Sequence, residues 1–420
     1  VSWAERTYNG NFSEADLEAM VRSDEVVVEL ASFPVPVQIE TGPWEFDRLI
    51  AIGVKDEFAV KENADLSDLK HWLNDRNDFV VGHLSYTLRT LLEDVPSNNH
   101  DLFKFPLAFF FVPKHLILVA DSSINAYSHS PVMVRSKPKI SDEASSLAFQ
   151  GPSISSYLNT VSKLKRHIQQ GDIYEVNFCV QHLVSEIEID PYRLFRELIG
   201  NSSAPFSSYF SRQGRYLMGT SPERFMMKKG KRIVSQPMKG TNRRTTDNAD
   251  QMQRLRNDAK EVSENVMITD LVRNDLSKSA TKGSVRVDEL CGVYPFTHVN
   301  AMISTVSAEL REDVHPLDAI LNAFPMGSMT GAPKIRAMEL IDEFEDFERG
   351  LFSGAVGYFT PELDFDFNVV IRSVLYNADE KMASFPTGSA ITINSDPEKE
   401  WEECVLKAEA MRNVIQNHAK

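Results

Sequence analysis

Gly171-Asp172-Ile173-Tyr174-Glu175-Val176-Asn177-Phe178 decides how this chain is read, because a helix ends at its first residue and a strand runs through the rest. Upstream, Ile154, Tyr157, Leu158, Val161, Leu164 and Ile168 keep the spacing of one helical face, and Gly171 suits a left-handed C-terminal cap. Downstream, Tyr174, Val176, Phe178 and Val180 fall on one side of the strand. That leaves Glu175 and Asn177 on the other side, as the candidate face of a site.

Further along, Arg232-Ile233-Val234-Ser235-Gln236 reads as a strand ending in a proline-led turn, Pro237-Met238-Lys239-Gly240-Thr241, whose glycine lets backbone approach a ligand. Lys239 is placed to reach that ligand. A lysine after a strand is ordinarily a solvated charge, but desolvation or a nearby cation lowers its pKa and makes it a nucleophile.

Two pairs of glutamates follow. Asp247 or Asn248 can cap a helix running to about Leu276, on which Glu261 and Glu264 share a face at i, i+3. A second helix, starting near Pro397, carries Glu400 and Glu403 at the same spacing, beside an apolar stripe of Trp401, Cys404, Ala408, Met411 and Ile415. Facing one another, the pairs offer oxygen ligands to a hard cation such as Mg²⁺, although glutamates so spaced are usually just a solvated surface. The glycine-rich segment Gly327-Ser328-Met329-Thr330-Gly331-Ala332-Pro333-Lys334 leads into a helix whose first N–H groups attract anions. Arg372 ends a β-rich run and suits a bidentate grip on a carboxylate.

Together with Ser221-Pro222-Glu223-Arg224-Phe225, Asp270-Leu271-Val272-Arg273-Asn274-Asp275-Leu276 and Gly354-Ala355-Val356-Gly357-Tyr358, these motifs, in this order, resemble the chorismate-utilising enzymes. That family includes anthranilate, aminodeoxychorismate, isochorismate and salicylate synthases. The resemblance runs from about Gly171 to Met411; the residues before about 150 carry little of it. It implies an α+β fold, two intertwined subdomains of antiparallel sheet flanked by helices. An N-terminal β-rich region over 1–140 would pack on a catalytic region over 150–420, joined by a polar connector from Ser136 to Gln150.

The resemblance also implies roles. Glu261, Glu264, Glu400 and Glu403 would hold Mg²⁺, and chorismate would contact Arg372, Gly327, Ser328, Thr330, Gly331, Lys407, Thr241 and Ala390. Glu223 would be the general acid for the C4 hydroxyl, although its neighbour Arg224 also allows a plain salt bridge. Lys239 stands where the C4-aminating branch carries a lysine thought to attack C2 of chorismate as hydroxide leaves C4. Ammonia then adds at C4 and expels the lysine, giving 4-amino-4-deoxychorismate, the precursor of p-aminobenzoate and folate. Anthranilate synthases have alanine there. Ammonia would come from a glutamine amidotransferase subunit, because no Cys–His nucleophile arrangement is present.

Several positions depart from the family pattern. Glu175 replaces the glutamine usual in amine-adding members and the base lysine of water-adding ones. Ala301 stands for a histidine that assists pyruvate loss in anthranilate synthases, Phe352 for a tyrosine, and Ala390 for a loop glycine. The expectation is therefore a component I enzyme of aminodeoxychorismate synthesis. The alternatives are anthranilate synthase component I and a non-catalytic chorismate-binding relative.

Composition agrees with a globular enzyme. With 420 residues, 42% of them hydrophobic, the chain can bury a large core, and a net charge of −15 disfavours nucleic-acid or anionic-membrane surfaces. The three cysteines are widely spaced and suggest neither disulfides nor a zinc site. With no signal pattern and no long apolar run, a cytoplasmic location without membrane insertion is expected.

Overall fold

The structure, a computed structural model, describes residues 7–8, 13–31, 46–62, 64–120, 123–128, 148–202, 204–245, 248–296 and 299–418. Among these, strands from early and late in the chain share one 19-stranded antiparallel sheet, and helices flank it in an α+β fold. The Val27–Ala31 strand pairs on one side with Arg48–Val60 and on the other with Phe206–Arg212. Likewise, Ala355–Phe359 lies between Val80–Leu84 and Phe365–Val369. Phe109, Phe110 and Phe111 are consecutive and all buried, so both faces of their strand are covered. Burying each such ring stabilises the fold by roughly 1.5–3 kcal/mol.

A smaller sheet of three strands, Gly331–Ala332, Glu175–Val180 and Thr387–Ile391, forms one wall of the site. The helix before it spans Ile154–Gln170, capped by the Ser153 hydroxyl at one end and by Gly171 at φ +83° at the other. Its Tyr157, Val161 and Leu164 pack with Phe178 and Ile391 of the small sheet and with Cys404 of the Pro397–His418 helix. That long helix buries Cys404, Ala408, Met411 and Ile415, as its apolar stripe predicts, so its register against the sheet is fixed. Tyr174 departs from the expected face: it is 66% exposed and precedes the strand, whose residues are buried on both sides.

Two other expectations are corrected. The helix expected to run to Leu276 is broken in two, Asn248–Asn257 and Ala259–Ser277, because the Asp258 carboxylate caps a fresh start by accepting from the Lys260 and Glu261 N–H groups. Asp247 lies outside the described residues. The chain after Gln236 does not turn away either. Met238–Arg243 continues as a strand against Val299–Glu309, with a register shift between Met238 and Thr241 where Gly240 takes φ +91°. The expected connector lies outside the described residues as far as residue 147, and Phe149–Gln150 forms a short strand. Among the described residues, no helix is long and apolar enough to cross a membrane.

Candidate active site

The Met238–Arg243 and Thr387–Ile391 strands and the Ala259–Ser277 and Pro397–His418 helices surround a cavity of about 520 Å³. This is a common size for a pocket that encloses a small organic ligand. The structure brings Lys239, Glu223, Thr241, Ser328, Arg372, Ala390 and Lys407 to its wall, and with them Glu261, Glu264, Glu400 and Glu403. Gly327, Thr330 and Gly331 are not on that wall.

Packing explains their absence. A Cβ on Gly327 would lie 2.6 Å from the Leu271 side chain, and one on Gly331 would lie 2.2 Å from the Glu175 carbonyl oxygen. These glycines let helix and strand approach closely rather than cradle an anion. Thr330 is fully buried, with its hydroxyl donating to the Met326 carbonyl, and the Met329 and Thr330 N–H groups are spent within the loop. Ser328 and Met329 are the members of this loop that reach the cavity.

Glu223 is 4% exposed, and the Ser328 hydroxyl donates to its Oε1 at 2.6 Å. Burial pushes its carboxyl up to about 7, against the opposing pull of the Ser328 hydroxyl and the Lys239 ammonium. A carboxylic acid of that strength can donate a proton at neutral pH. The plain salt bridge with Arg224 does not form. Arg224 instead grips Asp366 through two hydrogen bonds, at 2.9 and 3.0 Å, and donates to Gln236.

Lys239 is nearly buried, and its Nζ lies 3.1 Å from Oε1 of Glu175, which is 1% exposed. Burial acts to lower the lysine pKa, but Glu175 and Glu264 outweigh it and hold the ammonium above its ordinary value. The expected lowering is therefore reversed: carboxylates, not cations, surround the amine. Asn265 holds the backbone by donating from Nδ2 to the Lys239 carbonyl at 3.2 Å. Gly240 also serves a purpose other than the one expected, since a Cβ there would meet Glu261 Oε2 at 3.0 Å. The glycine makes room for the glutamate.

The four other glutamates sit on the two helices as their spacing requires. Glu264 and Glu400 are buried, Glu261 and Glu403 half-buried. Lys260, which sequence reasoning missed, reaches from the first of these helices to the second, its Nζ 3.0 Å from Glu400 Oε1 and 3.7 Å from Glu264 Oε1. Among the described residues, no three metal-ligating side chains are drawn together into a ready-made site. The residues nevertheless fit a hard cation. All four offer carboxylate oxygen, and Glu264 Oε1 is buried without a hydrogen-bond partner. Burial raises the Glu264 carboxyl to about 7 despite the nearby Lys239 and Lys260, a strain that a bound cation would relieve.

Arg372 adopts φ +51°, uncommon for a side-chain-bearing residue, at the end of the strand region where the carbonyl it presents accepts from Thr220 N–H at 3.0 Å. Among the described residues its guanidinium takes no hydrogen bond or ion pair, and burial lowers its pKa despite Glu403. It is a cation held at a cavity wall with its donors available. Lys407 is instead engaged, with the Gly388 carbonyl at 2.7 Å and Glu403 at 2.6 Å. Phe352 lines the cavity, and Ala390 sits in a strand without positive φ, so the missing glycine imposes no backbone strain. Ala301 packs in a small cluster with Tyr294 and Ile303 and pairs with Thr241.

Behind the wall, buried Arg349 ties two site segments together. It pairs with Glu345 and donates to the Met329 carbonyl at 2.7 Å and the Asn177 carbonyl at 2.9 Å. Glu345 in turn accepts from Cys179 N–H at 2.8 Å. The sequence signal was an acid and a base at i, i+4 beside the apolar run at Leu351.

The chorismate binding enzyme family matches residues 40–413. The chloroplastic aminodeoxychorismate synthase of Arabidopsis thaliana is 38% identical over 62% of this chain and 29% of its own length. Anthranilate synthase component 1 of Bacillus pumilus is 36% identical over 62% of this chain and 51% of its own. The chain thus spans about three tenths of the first of these relatives and about half of the second. The crystal structure of anthranilate synthase component I from Streptococcus pneumoniae superposes with a TM-score of 0.77, covering 90% of this chain and 94% of that one, at 22% identity. At that identity the likeness speaks for the fold alone.

Proposed function

We propose that this chain, which belongs to the chorismate-binding enzyme family, aminates chorismate at C4 to give 4-amino-4-deoxychorismate. The observation that carries the reading is that Lys239 and Glu223 both line one cavity, with burial holding the acid near neutrality. The relative from Arabidopsis thaliana, named aminodeoxychorismate synthase, supports it.

In this reading Arg372 takes one substrate carboxylate bidentately. Glu261, Glu264, Glu400 and Glu403 would hold Mg²⁺, which when bound supplies positive charge for the other carboxylate. Lys239 Nζ bonds to C2, the ring electrons shift, and the C4–O bond breaks as Glu223 protonates the departing hydroxide to water. Ammonia then bonds to C4, the electrons shift back, and the C2–N bond breaks to release the lysine. The new C4 ammonium returns a proton to Glu223, so the sum is chorismate plus ammonia giving product plus water.

The ammonia would come from a glutamine amidotransferase partner. Consistent with that, Cys179 and Cys404 are buried and Cys291 half-buried, and burial raises all three thiols, making them poor glutaminase nucleophiles. A second reading, anthranilate synthesis, is favoured by the Bacillus pumilus relative and disfavoured by Lys239.

The test incubates the purified chain with chorismate, Mg²⁺ and ammonium at mildly alkaline pH and resolves the products by chromatography. Material converted to p-aminobenzoate only when aminodeoxychorismate lyase is added supports the proposal. Anthranilate with released pyruvate supports the second reading, and substrate binding without any product supports a non-catalytic relative.

A further inference from the structure

The proposed attack requires a neutral Lys239 amine, yet Nζ sits 3.1 Å from the Glu175 carboxylate, a contact that favours the ammonium. Several carboxylates face it, foremost Glu175 from the small sheet, Glu264 from the Ala259–Ser277 helix and Glu223 from the cavity wall, with Glu261 and Glu403 of the two helices farther out. Of these, Glu175 is in hydrogen-bond contact, its Oε1 accepting from Nζ at 3.1 Å. Glu264 has a cation to hold and Glu223 a hydroxyl to protonate in the reading above. Glu175 has neither task.

Its environment is unusual for a structural ion pair. The carboxylate is 1% exposed, and its Oε2 is buried without a hydrogen-bond partner. An unpaired oxygen on a buried anion is unfavourable, and such pairs rarely stabilise a fold on balance. The neighbouring strand fixes the backbone from which this side chain extends, since Glu175 pairs with Ala332 and the close approach of Gly331 leaves no room for a Cβ.

We propose that Glu175 is a catalytic base that takes the proton from Lys239 and so turns the paired ammonium into the attacking amine. The assignment rests on the C4-amination reading. The Nζ–H bond breaks and an Oε–H bond forms, leaving a neutral amine beside a neutral acid with no change in total charge. Substrate filling the cavity expels water, and in that drier setting two neutral groups are favoured over two charges. The freed lone pair then bonds to C2. When ammonia later expels the lysine as a neutral amine, the acid returns the same proton, and the pair is restored for the next turnover. Glutamate at this position thereby serves a lysine nucleophile, whereas a glutamine would hold the lysine without accepting its proton.

The test compares wild type with Glu175→Gln and Glu175→Asp in two assays. The first is acetylation of Lys239 by acetic anhydride at a fixed alkaline pH, located by peptide mass spectrometry. The second is steady-state formation of 4-amino-4-deoxychorismate from chorismate and ammonium. Loss of the neighbouring anion in Glu175→Gln should raise Lys239 acetylation about 10-fold, while turnover falls by about 10²–10⁴-fold and Glu175→Asp recovers part of it. Faster acetylation with undiminished turnover would make the pair merely structural and overturn the assignment. Unchanged acetylation would also overturn it, because the carboxylate would then not be what holds the proton. A wild-type chain that makes no 4-amino-4-deoxychorismate defeats the reading of the reaction itself. One that makes it at the same rate as Glu175→Gln defeats the assignment of Glu175 alone.

Discussion

Replacing Glu223 by glutamine should make the protein more stable at alkaline pH while removing the proposed general acid. The carboxyl is 4% exposed and displaced from 4.5 to about 7, with burial as the largest cause. A folded-state pKa above the unfolded value means that the folded chain binds the extra proton. Its stabilising effect is complete below about 4.5 and is lost as pH rises through about 7. At about 1.4 kcal/mol per pH unit, the full displacement corresponds to about 3 kcal/mol. Glutamine keeps the shape and can still accept from Ser328, but has no charge to desolvate. The gap between Glu223→Gln and wild type should therefore grow from under ~1 kcal/mol at pH 5 to about 3 kcal/mol at pH 8. For a chain of 420 residues, at about 2.1 cal/mol/K of unfolding entropy per residue, that is a rise of roughly 3 °C in Tm. Thermal unfolding of both proteins from pH 5 to pH 8, followed by circular dichroism, reads it directly. A gap that does not widen with pH would show that Glu223 is not held protonated by burial, and the general-acid argument would fall with it.

Two further substitutions probe the wall and what stands behind it. Arg372→Ala removes the available guanidinium and should lower kcat/KM for chorismate about 10–100-fold, the loss of a charged bidentate contact of about 1.5–3 kcal/mol. An unchanged value in steady-state kinetics would remove Arg372 from substrate recognition. Arg349→Met strands Glu345 in the interior and should destabilise the fold by about 3–5 kcal/mol, with part recovered in the double variant Glu345→Gln/Arg349→Met. Equal destabilisation in the single and double variants, measured by thermal unfolding, would contradict the buried-pair account.

The parts of this molecule legible in sequence are those whose cause is local. Periodicity and caps placed the Ile154–Gln170 and Pro397–His418 helices, because an amphipathic face and a left-handed glycine act within a few residues. The glutamate pairs followed from the same periodicity. What escaped depended on tertiary neighbours. The carboxylate cage around Lys239 is assembled from a strand, a helix and a wall far apart in sequence, so the direction of its pKa shift was read the wrong way. Glycines in the Gly327–Gly331 loop looked like an anion cradle until Leu271 and the Glu175 backbone explained them. The Asp258 break was visible in principle, as an N-capping aspartate followed by Ala259 and Lys260, but helical spacing on either side concealed it. Lys260 stands four residues before Glu264, a spacing visible in sequence, but its second partner, Glu400, comes from a distant helix.

The most direct test of the lysine's part in the reaction compares wild type with Lys239→Ala, each supplied with chorismate, Mg²⁺ and ¹⁵N-ammonium, with products identified by mass spectrometry. The account predicts that wild type forms 4-amino-4-deoxychorismate carrying the label at C4 and that Lys239→Ala does not, either losing activity or diverting the label to anthranilate. Labelled 4-amino-4-deoxychorismate formed equally well by both proteins, or anthranilate as the wild-type product, would contradict it.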